Sequence, residues 1–126
     1  MKTKSVTIQW QELADEYVAE VQDVTNKEMR STAQDAVTQL KNTSPREETG
    51  KRKGRYARGW TKKDGDMETI VFNKTDWQLT HLLENGHAVI NAYGDTGARV
   101  EAIKHIEPVE QWCESELPMR ISRGLK

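Results

Sequence analysis

The clearest pattern in the chain is a stripe of apolar residues near its N-terminus. Residues 10–21 place apolar side chains at the i, i+3, i+4, i+7, i+8 and i+11 positions of one helical face. The stripe resumes further along, so the pattern predicts helix over about residues 9–41. It ends before Pro45, since a proline disfavours helical geometry in the preceding residue. Thr25 and Asn26 are weak helix formers, which leaves open whether this region is one helix or two.

The middle of the chain predicts a β-hairpin followed by a short helix. Residues 56–61 and 67–73 are candidate strands joined through residues 63–66, where an Asp-Gly pair is a strong hairpin signal. The apolar pattern of residues 77–84 indicates a short helix, and Gly86 follows it as an expected helix stop.

The remaining segment predicts two further strands and a final helix. Residues 87–90 and 99–103 are candidate strands that flank a glycine-containing turn at residues 94–97. Pro108 lies where it can open a helix, and Pro118 is expected to kink or end that helix. We therefore expect an α+β fold: a long N-terminal helix or helix pair, a small, mostly antiparallel sheet of about four strands, a short central helix and a C-terminal helix.

Composition adds the expectation of a thin core. The chain has 126 residues, which fits a single domain over 1–126, and only 35% of them are hydrophobic. Its net charge of −1 allows collapse, but so few aliphatic residues favour a protein that buries further surface against neighbouring subunits. No apolar run has the length of a signal peptide or a bilayer span, and Cys113 is the single cysteine, expected to face the core.

Charge is unevenly distributed despite the balanced total. Residues 46–63 contain eight basic and two acidic residues, whereas residues 64–126 contain six basic and eleven acidic residues. The basic side chains of this segment are Arg46, Lys51, Arg52, Lys53, Arg55, Arg58, Lys62 and Lys63. We expect a mobile basic loop near residues 44–55. It either binds nucleic acid phosphates without sequence preference or, as we favour, orders against an acidic surface of a partner subunit.

The strongest candidates for catalysis are two histidines and a glutamate around the short helix. His81, Glu84 and His87, with His105 as a fourth member, suggest a metal-dependent hydrolase, but their spacing departs from the His-Glu-x-x-His pattern of zinc proteases. A structural role for these side chains is the favoured interpretation. We therefore predict no catalytic residue, no metal and no cofactor.

Several segments spread over about residues 6–112 carry a family resemblance. They are Ser44-Pro45, Thr49-Gly50, Gly54-Arg55-Tyr56-Ala57-Arg58-Gly59-Trp60, Val71-Phe72-Asn73-Lys74-Thr75, Leu79-Thr80-His81-Leu82-Leu83-Glu84-Asn85-Gly86-His87-Ala88, Arg99-Val100 and His105-Ile106-Glu107-Pro108. Together they resemble the tail completion proteins of tailed phages, neck or head–tail joining components also known as minor tail proteins. The most specific part is the His-Leu-Leu-Glu-x-Gly-His-Ala segment.

The resemblance implies a structural subunit without enzymatic activity. Such a protein is assembled in the host cytoplasm into the virion, at the head–tail junction. Expected partners are further copies in a ring, with a hexamer favoured over a dodecamer, and the phage connector or stopper, tail terminator and tail tube proteins. DNA contact is not expected, and no membrane is involved.

A ring also suggests which residues make the contacts. The basic segment is expected to meet the acidic region 64–126 of the next subunit. Trp77, His81, Glu84 and His87 are expected to hold the short helix and the turn after it, and Tyr56 and Trp60 to be buried in the core or at the ring contact. The candidate assembly residues are Arg46, Lys51, Arg52, Lys53, Arg55, Arg58, Tyr56, Trp60, Trp77, His81, Glu84, His87, Arg99 and His105.

Overall fold

The computed structural model describes residues 2–47, 50 and 53–126, with side chains from residue 9 onward. In chain order its elements are α1 (Lys2–Thr43), α2 (Arg55–Arg58), β1 (Trp60–Gly65), β2 (Glu68–Asn73), α3 (Leu79–Asn85), β3 (His87–Asn91), β4 (Gly94–Val100) and α4 (Ile106–Gly124). The predicted α+β class and order of long helix, strands, short helix, strands and final helix are confirmed.

The N-terminal region forms one continuous helix, α1, rather than two. Its weak helix formers do not interrupt it, and Asn26 contacts a turn of the body instead. The Asn26 side chain accepts a hydrogen bond from the Met67 backbone N–H at 2.7 Å and donates one to Asp66 at 3.2 Å. Tertiary contacts therefore outweigh the low helix propensity at this position.

Helix α4 runs antiparallel to the second half of α1. Gly124 at its end lies close to Val24, while Arg120 donates hydrogen bonds to Asp35 at 2.8 Å and to Glu116 at 3.0 Å. Of the two expectations for Pro118, a kink or an end of the helix, the end is wrong, because α4 continues to Gly124. Pro118 has no N–H to donate to the Glu114 carbonyl four residues earlier. Both residues are exposed, so water can bind this carbonyl instead.

The first hairpin begins later than the sequence pattern predicts. Residues 55–58 form the single helical turn α2 instead of a strand, and strand β1 starts at Trp60. Strands β1 and β2 pair antiparallel, and their turn lies at Asp66-Met67, outside the predicted Asp-Gly pair. Met67 takes a positive φ of 54°, and the hydrogen bond to Asn26 supports this unusual backbone geometry.

The second hairpin, β3–β4, is separate from the first. The four strands form two two-stranded antiparallel sheets, not the single sheet expected. The turn lies at residues 92–93, because β4 already begins at Gly94, and residues 101–103 are outside any strand. The Asn91 side chain accepts the Tyr93 N–H at 2.8 Å, an Asx turn that places the reversal here.

The apolar core is thin, as the composition predicts. It lies where the second half of α1 meets α2, β1 and α4. Its buried apolar residues are Ala33, Ala36, Val37, Leu40, Tyr56, Ala57, Trp60 and Val109. Cys113 of α4 packs against this cluster as expected, and burial raises the pKa of its thiol.

Candidate functional site

The carboxylate of Glu84 caps a helix that begins about twenty residues later in the chain. It accepts hydrogen bonds of 2.9 Å from the backbone N–H groups of His105, Ile106 and Glu107, at the start of α4. These donors have no partner within their own helix, and a negative charge there is favoured by the helix dipole. Burial acts to raise the pKa of Glu84, but the three hydrogen bonds outweigh it and hold the pKa below its ordinary value.

His105 connects this cap to the aromatic core and is almost fully buried. Its Nδ1 lies 2.6 Å from the Ile103 carbonyl oxygen and 3.1 Å from Glu84, so Nδ1 carries a proton. Its Nε2 lies 2.7 Å from the Tyr56 hydroxyl. Burial, followed by the nearby charges of Glu84 and Asp76, raises the pKa of Tyr56, so this hydroxyl stays protonated where it pairs with the His105 ring.

Trp60 and Asn73 extend the buried network to both sides. The Trp60 indole N–H donates a hydrogen bond to the Ser44 hydroxyl at 2.8 Å. The Trp60 ring packs edge-on against the Tyr56 ring, with 5.7 Å between the ring centroids. Asn73 donates to the Tyr56 carbonyl at 2.7 Å and accepts the N–H of Asp76 at 2.9 Å. Pattern reasoning did not identify Ser44 and Asn73 as site residues, although both lie in the segments that carry the family resemblance. We call the six residues Ser44, Tyr56, Trp60, Asn73, Glu84 and His105 the polar hub.

The other candidate residues around α3 are not brought together. Trp77 lies before α3, not within it, and is 70% exposed. His81 is exposed and accepts a hydrogen bond from Asn85, whereas His87 is half-buried with its Nδ1 unpaired. Arg99 lies exposed on β4. Within the described residues, no group of three His, Cys, Asp or Glu side chains is arranged to hold a metal ion.

The basic segment divides into engaged and exposed side chains. Arg55 pairs with the buried Asp76 at 3.3 Å, and Lys62 pairs with Asp64 at 2.7 Å. The exposed members are Arg46, Lys53, Arg58 and Lys63. Arg46, Lys53 and Arg58 line an open depression beside the end of α1. The other two predicted residues, Lys51 and Arg52, lie outside the described part of the chain.

The largest departure from the expected packing is the first half of α1. An apolar stripe on a helix ordinarily faces the core. Here every residue from 9 to 20 is exposed, including Trp10 at 68% and Tyr17 at 63%. We call residues 9–20 the α1 arm. Its exposure could not be predicted from periodicity, because the pattern does not reveal how far the packing partner extends.

Gly86 closes α3 in a place where no side chain fits. Its φ is +73°, and a Cβ there would lie 2.5 Å from the Val100 carbonyl oxygen and 2.9 Å from the Ala102 backbone nitrogen. We expect Gly86→Ala to lower the free energy of unfolding by about 3 kcal/mol, combining the strain of a positive φ with a backbone clash. Urea denaturation followed by circular dichroism measures this loss.

The matched control for that substitution is Gly97→Ala. Gly97 has a similar φ of +78° but nothing within 4 Å of the added Cβ, so only the strain of about 1 kcal/mol is expected. Equal losses for the two variants would show that the close approach at Gly86 carries no energetic weight.

The buried hub is surrounded by exposed apolar and charged surfaces, and contiguous exposed apolar surface commonly marks an interaction site. A model of the HK97-gp10-like family, described as "Bacteriophage HK97-gp10, putative tail-component", matches residues 9–86. The chain belongs to this family, which confirms the resemblance to phage tail proteins and makes it a structural tail component of a virion. Neither the curated proteins nor the solved structures contain a match. In the described residues, no helix combines the length and apolar character needed to cross a bilayer.

Proposed function

We propose that this protein is a tail completion subunit at the phage head–tail junction, where it joins the tail to the capsid connector. The main support for this proposal is the exposed apolar α1 arm, in a chain that belongs to a family of phage tail components. The family match starts at residue 9 and therefore includes this arm. A thin core and a large apolar surface favour a chain whose burial is completed by neighbouring proteins.

The proposed assembly is a ring, with six copies favoured over twelve. A closed ring needs two different surfaces on each subunit, because the contact is heterologous. The chain has segments of opposite charge, since residues 46–63 are basic and residues 64–126 are acidic overall, and such segments can supply the two surfaces. The proposed neighbours are the connector or stopper, the tail terminator and the tail tube, and the proposed role involves no covalent chemistry.

The polar hub has a supporting part in this function. Glu84, His105, Tyr56 and Trp60 are buried, so they act by holding the exposed elements in place rather than by touching a partner. Exposed candidates such as Arg58, Trp77 and Arg99 remain available for direct contact. Binding of nucleic acid by the basic segment stays an alternative prediction, although Arg46 and Arg58 already donate to backbone carbonyls of Lys41 and Lys53.

The proposed function predicts a specific defect when the gene is inactivated. A phage or prophage with an early stop codon in this gene should release DNA-filled heads and complete tails that are not joined. The measurement is negative-stain electron microscopy of the lysate, with the wild-type gene supplied from a plasmid as the control. Adding purified wild-type protein to the mutant lysate should restore joined particles.

Two outcomes of that experiment would contradict the proposal. Joined, infectious particles in the absence of the protein would show that the junction does not need it. Heads accompanied by no assembled tails would place the protein in tail tube formation, a different step of assembly.

A further inference from the structure

Two arginine side chains of the basic segment converge beside Gly54. A Cβ atom placed on Gly54 would lie 2.7 Å from Nη1 of Arg58 and 3.2 Å from Nη1 of Arg46, so both guanidinium groups approach the same point. The φ of Gly54 is +67°, a conformation that glycine adopts at no steric cost. The glycine therefore leaves the space in which two positive charges lie close together.

Backbone carbonyl groups fix the positions of these two charges. Arg58 donates a hydrogen bond to the Lys53 carbonyl at 2.7 Å, and Arg46 donates one to the Lys41 carbonyl. A guanidinium group has five N–H donors, so each arginine keeps most of its donors for another acceptor. Among the residues that the structure describes, no carboxylate forms an ion pair with either arginine. Two like charges held together in this way repel each other, and an anion between them would relieve that repulsion.

The depression beside the end of α1 collects the basic side chains that have no acidic partner among the described residues. Arg55 and Lys62, by contrast, already pair with acidic residues of the same subunit. The described lining of the depression contains three basic residues, Arg46, Lys53 and Arg58, and one acidic residue, Glu47. It is therefore positively charged overall, and we call it the basic depression.

The geometry of the basic depression fits a phosphate group better than a carboxylate. A carboxylate has two oxygens in one plane, and a single guanidinium fork can bind both of them. Two guanidinium groups beside one point can together bind the tetrahedrally arranged oxygens of a phosphate, a group that arginine recognises well. The depression is open and has a cavity volume of about 780 Å³, so it has room for a polymer of linked phosphates.

The aromatic residues of the basic segment are not available to bind bases. Tyr56 and Trp60 are only 7% and 4% exposed, because both belong to the polar hub. Proteins that hold single-stranded nucleic acid usually stack its bases on aromatic side chains. Without such stacking, the contacts left to this segment are those to phosphates, which carry no sequence information and are most densely spaced along a duplex.

We propose that the basic depression binds the phosphodiester backbone of double-stranded DNA. Arg46 and Arg58 together hold one phosphate group, and Lys53 adds charge for a neighbouring one. Binding is independent of base sequence and weakens as the salt concentration rises, because it releases counterions from the DNA. This binding site goes beyond the proposed joining of head and tail and does not depend on it.

Fluorescence anisotropy with a short fluorescein-labelled DNA duplex of mixed sequence tests this site. The wild type should bind the duplex, and a logarithmic plot of affinity against salt should have a slope of about −2 to −3. The double variant Arg46→Gln, Arg58→Gln should lose about tenfold or more in affinity, and its slope should be shallower by about 2. One strand of the duplex alone should bind no more tightly than the duplex itself.

Two further double variants separate the site from net charge. Lys63→Gln with Arg99→Gln removes two exposed positive charges outside the basic depression, so this variant should retain most of the wild-type affinity. Arg46→Lys with Arg58→Lys keeps both charges but loses the guanidinium forks, so the affinity should fall while the salt slope stays unchanged.

Folding is checked before binding is compared. Arg46 and Arg58 are exposed, so their variants should keep the wild-type circular dichroism spectrum and urea midpoint. If the double glutamine variant fails this check, the single substitutions Arg46→Gln and Arg58→Gln replace it, and each should make the salt slope shallower by about 1.

Four outcomes would overturn the inference. Equal losses for the glutamine variant and the variant at Lys63 and Arg99 would show that net charge alone attracts the DNA, and tighter binding of the single strand would show that bases are contacted. If the protein does not bind DNA, its urea midpoint in inorganic phosphate is compared with that in chloride at equal ionic strength. A rise in phosphate that the glutamine variant lacks would identify free phosphate as the ligand, and no rise would leave an acidic protein surface as the partner. The gene-inactivation experiment decides the joining function separately from all four.

Discussion

Glu84→Ala is expected to lower the free energy of unfolding by about 4 kcal/mol, because it removes the charged acceptor of three backbone N–H groups, one buried and two partly buried. The donors at the start of α4 would then lack any partner in their own helix. A small domain has a total stability of about 5–15 kcal/mol, so a loss of this size makes the variant marginal. Urea denaturation followed by circular dichroism measures it.

The matched control is Glu110→Ala, which removes an exposed carboxylate from the next turn of α4. Its free energy of unfolding should stay within about 0.5 kcal/mol of the wild type. Glu84→Gln keeps the shape of the side chain and one acceptor oxygen, so its loss should fall between those of the two alanine variants. A Glu84→Ala protein as stable as the control would contradict the assignment of Glu84 as the cap of α4.

The pH dependence of stability follows from the same carboxylate. The pKa of Glu84 is lower in the folded state than its ordinary value of 4.5, so the folded state favours the ionised form. The resulting stabilisation is present above about pH 4.5 and is lost as the pH falls through the lowered pKa. The stability difference between wild type and Glu84→Gln should therefore be largest at neutral pH and shrink on acidification.

Trp60→Ala is expected to cost about 4 kcal/mol, since it removes the largest aromatic side chain from a thin core. Trp60 is only 4% exposed, packs edge-on against Tyr56 and donates to Ser44. The remaining small residues of α1, such as Ala36, cannot fill the cavity. Urea denaturation followed by circular dichroism again gives the loss of stability.

Trp77→Ala provides the comparison for this substitution. The same side chain is removed from a site that is 70% exposed, so the expected change is below about 0.5 kcal/mol. Ser44→Ala isolates the hydrogen bond to the indole and should cost about 1 kcal/mol. Equal losses for Trp60→Ala and Trp77→Ala would show that Trp60 does not anchor the core.

The polar hub draws its residues from several of the segments that carry the family resemblance. Ser44, Tyr56, Trp60, Glu84 and His105 come from distant parts of the sequence and meet in one hydrogen-bonded cluster. The hub links α2 and β1 to the end of α3 and the start of α4. It therefore sets the positions of the exposed surfaces, which include the α1 arm that supports the proposed assembly role.

Local pattern in the sequence was sufficient for the features that depend on near neighbours. Helical spacing predicts α1, and Gly86 marks the end of α3 because a glycine readily adopts the positive φ of that position. The α+β class and the tail-protein family also follow from the chain itself, since both rest on the order of short segments along it.

Only the tertiary structure decides the features that depend on residues far apart in the chain. Asn26 supports the turn at Met67 across forty-one residues, and Glu84 caps α4 across more than twenty. Residues 56–58 are helical despite a strand-like pattern, since the Tyr56 carbonyl accepts the Gly59 N–H and the Asn73 side chain. The exposure of the α1 arm also depends on residues far away in the chain. Periodicity shows only that one face of the helix is apolar. The length of α4 and the position of the first hairpin determine how much of that face the subunit covers.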